Sequence, residues 1–241
     1  NRGDTMLKED LIKKNPLRVL SPADQGKSEA PKMGLVMSRA GLGKTAILVQ
    51  IALDSMLRGN KVLHVSIGQS LEKTKIWYDD IFHDIASMDH LERAAEIQEE
   101  LMCQRMIMTF NEESFGVAKL RERLKDLIEQ NIFQPDCLLV DGFDCSISPE
   151  KVLGQMRDLA KDMNITMWFS AVCHRGDERV SKAGVPAPCH EADALFDTII
   201  LLQPDAEKKC VALNIIKRDG KVGESRPMLT LDPSTLLILE N

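Results

Sequence analysis

Six apolar runs, separated by stretches of helical periodicity, constrain this chain more than any other feature. They are GLVMS (34–38), KVLHVSI (61–67), RMIMTF (105–110), DCLLVD (136–141), ITMWFSAV (165–172) and FDTIILLQ (196–203). The runs are continuous rather than alternating, which is how strands buried on both faces read. Helical patterns fill the intervals at 45–58, 71–87, 90–102, 114–130 and 150–163. The first stops at Gly59, placed for a left-handed C-terminal cap. The last follows Ser148 as cap and Pro149 at the first position, with Val152, Leu153, Met156, Leu159 and Met163 on one face. Strands alternating with amphipathic helices predict an α/β fold, a mainly parallel sheet between two layers of helix. After Gln203 the rhythm changes. CVALNIIKRDG (210–220), PMLTLD (227–232) and TLLILE (235–240) leave no room for helices and are expected to form antiparallel hairpins on the sheet edge.

The first run leads into Ser38-Arg39-Ala40-Gly41-Leu42-Gly43-Lys44-Thr45 and then a helix. This matches the phosphate-loop pattern G-x-x-x-x-G-K-[ST], with Ser38 standing at the first glycine. Gly41 and Gly43 allow the backbone to curl so that its N–H groups point inward, and the helix N-terminus adds its positive end. Lys44 is placed to reach the β- and γ-phosphates of a nucleotide, and the Thr45 hydroxyl to ligand Mg²⁺. The side chain of Ser38 is small enough for the turn that glycine would make.

Four apolar residues, Cys137 to Val140, end in Asp141. A carboxylate at such a strand end can hold Mg²⁺ through water. An Asp-Gly pair also starts turns in its own right, and Asp144, one turn further on, is the second candidate.

Together these segments resemble the RecA-like ATPases, in layout the KaiC-type, RadA-type and DnaB-type helicase motor domains. The resemblance covers about 33–240 in element order and implies a domain over 33–241, with residues 1–32 as an N-terminal arm or linker that opens with a short helix over 6–13. It implies a three-layer P-loop fold, ATP and Mg²⁺ as ligands, and a ring or filament of identical subunits. RDGKVG (218–223) resembles the R-N-G-x-x-G turn of the DnaB-type proteins. Carried over, Arg218 reaches the γ-phosphate held by a neighbouring subunit, with Lys217 as the alternative. A cation there neutralises charge developing on the transferred phosphoryl group. By the same resemblance His174, at the end of the ITMWFSA strand, senses the γ-phosphate.

The resemblance also locates a mismatch. In these families the strand after the phosphate-loop helix ends in a glutamate that orients or deprotonates the attacking water. Here that strand ends at Gly68 and Gln69. Gln69 can orient water through its amide but cannot take a proton; Glu72 lies one helical turn on, in the place of a first-turn acid. Loss of a general base slows such a step by about 10² to 10⁴. Slow turnover is therefore expected, and the competing expectation is a protein that binds ATP without hydrolysing it.

Composition narrows the rest. Net charge is −6 and only 4% of residues are aromatic, so neither a generally basic surface nor a stacking platform for bases is expected. The loop HRGDERVSKAGVPAPCHE (174–191) mixes both charge signs and holds no aromatic residue. Cys173-His174 and Cys189-His190 are zinc-type residues, but neighbours on a strand point to opposite faces and chelate poorly. The six cysteines form no C-x-x-C pair, no apolar run has the length of a membrane span, and no signal-like segment opens the sequence. A cytoplasmic protein with free thiols is expected.

Overall fold

Each of the six apolar runs becomes a strand of one sheet. The structure, a computed structural model, describes residues 7–20, 31–146, 149–173, 176–207, 209–223 and 229–240. After a short helix α1 (Lys8–Lys14) the order is β1 (Met33–Ser38), α2 (Lys44–Leu57), β2 (Val62–Ile67), α3 (Leu71–Met88), α4 (Ala94–Cys103) and β3 (Arg105–Phe110). Then come α5 (Val117–Glu129), β4 (Cys137–Asp141), α6 (Pro149–Met163), β5 (Thr166–Val172) and β6 (Thr198–Asp205). The chain closes with β7 (Cys210–Arg218), β8 (Lys221–Val222), β9 (Leu229–Leu231) and β10 (Ile238–Glu240).

Across the sheet the strands lie in the order β10-β9-β7-β6-β1-β5-β4-β2-β3, with β8 added to β7. From β6 to β3 all neighbours are parallel. From β6 outward to β10 they are antiparallel. Asp219 and Gly220 both have positive φ and close the β7–β8 turn, an Asp-Gly pair of the kind that suits a tight hairpin. The α/β class, the parallel core and the antiparallel edge are those expected from the sequence.

Side-chain alternation divides the core in two. Val36 and Leu139 face the side covered by α2, α3 and α4, and Leu35, Met37, Leu138 and Val140 face the side covered by α5 and α6. Every residue of β1, β2 and β4 is buried. One close approach fixes a residue type: a Cβ on Gly34 would lie 2.3 Å from the Trp168 ring of β5. At Gly59 the left-handed cap is present, with Gly59 N–H donating to Met56 O at 2.8 Å and Asn60 N–H to Ser55 O at 3.1 Å.

Two helices start later than their periodicity suggests. α4 begins at Ala94 because His90 and Arg93 take positive φ in the preceding turn. α5 begins at Val117 because Asn111 and Ser114 cap a separate 3-10 turn, Glu112–Ser114, and Phe115 is extended. Ser148 lies outside the described residues.

Residues 7–20 pack on the core: Leu11, Leu17 and Leu20 are buried in the α2 side. Asp54 of α2, 3% exposed, receives Arg18, Asn15 Nδ2 at 2.9 Å and Arg58 Nη2 at 2.7 Å. Among the described residues no helix is long and apolar enough to cross a membrane.

Candidate functional site

Parallel strands bring their C-terminal ends to one edge of the sheet, and the loops there hold the candidate residues. β1 ends in buried Ser38, which keeps a negative φ, so this position does not need glycine. Gly41 and Gly43 do take left-handed φ, +79° and +89°. Arg39, Ala40 and Gly41 are exposed, and the loop ends where Gly43 O accepts the first α2 hydrogen bond from Ile47 N–H at 3.0 Å. Leu42 and Arg39 border a cavity of about 670 Å³, walled on its far side by the end of β6.

Lys44 opens α2 and is half-buried. Its Nζ donates to Ser38 Oγ and to Arg39 O, both at 3.2 Å, so the ammonium is folded over its own loop. Burial lowers its pKa, and Asp141 nearby opposes that shift. A partly desolvated cation resting on weak acceptors is poised to exchange them for an anion.

Thr45 and Asp141 meet directly. Thr45 Oγ1 donates to Asp141 Oδ2 at 2.8 Å, although β1 and β4 are separated by β5. The intervening strand supplies a residue the sequence reading missed. Ser170 Oγ donates to Asp141 Oδ1 at 2.5 Å and accepts Gly142 N–H at 2.9 Å. Ser170 is buried in the middle of an apolar strand, and its only signal was a lone small hydroxyl there. It fixes the carboxylate rotamer and turns the other oxygen toward Thr45. A hydroxyl and a carboxylate at this separation are hard oxygen donors, and they fit Mg²⁺, which is held by one or two protein ligands with phosphate and water. Asp144 instead turns back to accept Ser146 N–H at 2.8 Å.

β2 ends differently. Gly68 has φ +73°, and a Cβ there would lie 2.9 Å from Glu112 Oε1. Gln69 is exposed and lines, with Asn111 and Glu112, a cleft of about 600 Å³. Glu72 follows the helix cap Ser70, whose Oγ accepts Lys73 N–H at 3.2 Å. Beneath these loops Phe110, Phe115, Phe143, Phe169 and Phe196 form a ladder of edge-to-face contacts with centroids 5.4 to 6.2 Å apart. The ladder ties the ends of β3 and β4 to the core under β5.

Two candidates are not brought to this edge. Lys217 pairs with Ile199, and Thr198 pairs with Gly34, so Arg218 sits level with the start of β1. That is four residues, roughly 13 Å, from Ser38 at the end of β1. Arg218 Nη1 donates to Val19 O at 3.1 Å, and Lys217 Nζ to Asp193 O at 3.2 Å. Neither can serve the loop of its own chain. His174 lies outside the described residues; Cys173 before it donates its N–H to Ser38 O at 2.8 Å.

All six cysteines are free thiols, and Cys145 and Cys189 touch at 2.6 Å in the core. No group of three or more His, Cys, Asp or Glu side chains among the described residues is arranged to hold a metal ion. No protein-family model matches this sequence, and no curated protein matches it.

Proposed function

We propose that this chain is a RecA-like P-loop protein that binds Mg²⁺–ATP and hydrolyses it slowly to ADP and phosphate. The observation that carries the reading is the union of Lys44, Thr45 and Asp141 at one sheet edge, with Thr45 and Asp141 hydrogen-bonded across an intervening strand. The backbone N–H groups of 39–45 and the α2 N-terminus take the phosphates. Lys44 leaves Ser38 Oγ and Arg39 O for the β- and γ-phosphates. Thr45 and Asp141 would hold Mg²⁺, which supplies charge neutralisation on the phosphates when bound. Gln69 orients water. The order with one strand between β1 and β4 supports the RecA-like reading over a plain strand–loop–helix anion site.

Arg218 lies far from its own loop, so it acts only if copies assemble in a ring or filament that sets it against the next copy's γ-phosphate. Free thiols fit a cytoplasmic setting. Glycine and glutamine at the end of β2 favour a second reading, an ATP-gated regulatory or scaffold protein that does not turn ATP over. Phosphate release decides between them. Release by the wild type that vanishes in Lys44→Ala supports the ATPase; saturable ATP binding with no release supports the scaffold. Nucleic acid is a candidate partner only if single-stranded DNA changes that rate. Mixed Lys44→Ala and Arg218→Ala subunits recover activity if sites are shared, and remain inactive if they are not.

A further inference from the structure

The end of β2 carries no acid, yet an acid stands against it. Phe110 closes β3 opposite Ile67, and Gly68 N–H donates to Phe110 O at 2.9 Å. Two residues on, the chain turns at Glu112, and the side chain folds back across β2. Glu112 Oε1, Cγ and Cδ lie 2.9, 3.3 and 3.5 Å from the point where a Cβ of residue 68 would be. The carboxylate thus occupies the room that a side chain at 68 would otherwise fill. The positive φ of Gly68 and the absence of its Cβ are what admit it.

The location is contiguous with the Asp141 loop. A Cβ on Gly142 would lie 2.7 Å from Ile67 O, so the turn after Asp141 abuts the last residue of β2, and Gly68 follows directly. Two carboxylates therefore come to the same sheet edge in different states. Asp141 is buried and receives both Thr45 and Ser170. Glu112 is exposed and opens on the 600 Å³ cleft beside Gln69. The first is sealed and hydrogen-bonded; the second is open to water.

We propose that Glu112, presented across Gly68 from the neighbouring strand, is the general base for ATP hydrolysis in this chain. This rests on the nucleotide reading above. In the step, Glu112 accepts a proton from water held by Gln69 as that oxygen bonds to the γ-phosphorus. The bond from the γ-phosphorus to the bridging oxygen breaks, ADP keeps the electron pair, and the proton on Glu112 returns to solvent.

The test uses single-turnover hydrolysis and equilibrium ATP binding on the full chain. Glu112→Gln is nearly isosteric, sits at an exposed position, and is compared with Glu113→Gln on the same turn. The expected result is a rate lower by about 10² or more for Glu112→Gln, within the range for loss of a general base. ATP affinity stays within about threefold and Glu113→Gln is unaffected, in line with a group acting on the chemical step alone. A Glu112→Gln protein that folds, binds ATP and keeps its rate within threefold overturns the assignment while leaving nucleotide binding intact. Wild type that binds ATP with no hydrolysis overturns it too. Wild type that binds no ATP overturns the nucleotide reading itself.

Discussion

The ends of β1 and β4 and the ends of β2 and β3 lie on the same sheet edge and are organised in opposite ways. At β1 and β4 the polar groups are already joined: Lys44 to Ser38, Thr45 to Asp141, Asp141 to Ser170. At β2 and β3 they are exposed around a cleft, with Glu112 resting on a glycine. Groups held by hydrogen bonds in a packed setting stay in place and only exchange partners when a ligand arrives, whereas exposed ones must be ordered by it. On the proposed function, the closed half would hold the nucleotide and the open half would act on it.

The largest expected effect breaks the comparison at its closed side. Asp141→Ala removes the acceptor of Thr45 and Ser170, and is expected to weaken ATP binding by about 3 kcal/mol, roughly a hundredfold. That loss should appear in magnesium and shrink in chelator; equal loss in both would show that Asp141 serves packing instead of the cation.

Next comes a test that the strands beneath the open half are as closed as those beneath the loop. His64 of β2 is buried, accepting from or donating to Tyr78 Oη at 3.0 Å, and burial lowers its pKa to about 4. Its folded pKa lies below the unfolded value, so the unfolded state binds the proton more readily. Stability is full above pH 6.5 and falls as pH drops from there toward 4. Between pH 7 and pH 5 denaturant unfolding should show about 2 kcal/mol of loss that His64→Gln lacks. Equal pH dependence in both proteins would mean that His64 is not sealed.

Two glycines sharpen the contrast at smaller scale. Gly41→Ala and Gly68→Ala both force a side chain into left-handed backbone, at about 1–2 kcal/mol each. A Cβ at 41 meets nothing within 4 Å, whereas one at 68 displaces Glu112. Hydrolysis should therefore fall more for Gly68→Ala than its loss of stability explains. Smallest of all, Ser38→Gly should change stability by less than about 1 kcal/mol and leave ATP affinity within threefold, because Ser38 already has ordinary backbone geometry.

What the sequence disclosed and what it hid follow from how each feature is encoded. The 38–45 loop is contiguous, so eight residues between a strand and a helix displayed it whole. Asp141 was legible because an apolar run stops at it. The antiparallel edge was legible because no helix fits between its strands. The contact of Ser170 with Asp141 and the approach of Glu112 to Gly68 were not, since they arise from pairing β5 beside β4 and β3 beside β2, an order that periodicity does not reveal. Arg218 was visible as a turn cation, but its distance from the loop of its own chain depends on β7 running antiparallel to β6. The burial of Leu11, Leu17 and Leu20 was hidden in a polar, proline-broken segment.

The central claim is that the loop at 38–45 grips polyphosphate beside a divalent ion. Titration calorimetry with ATP and Mg²⁺ on wild type and Lys44→Ala tests it most directly. The expected result is saturable one-site binding by the wild type, weakened in Lys44→Ala by at least about tenfold, as befits loss of a charged hydrogen-bonding partner. Equal heats for the two proteins, or none for either at millimolar ATP, would contradict it.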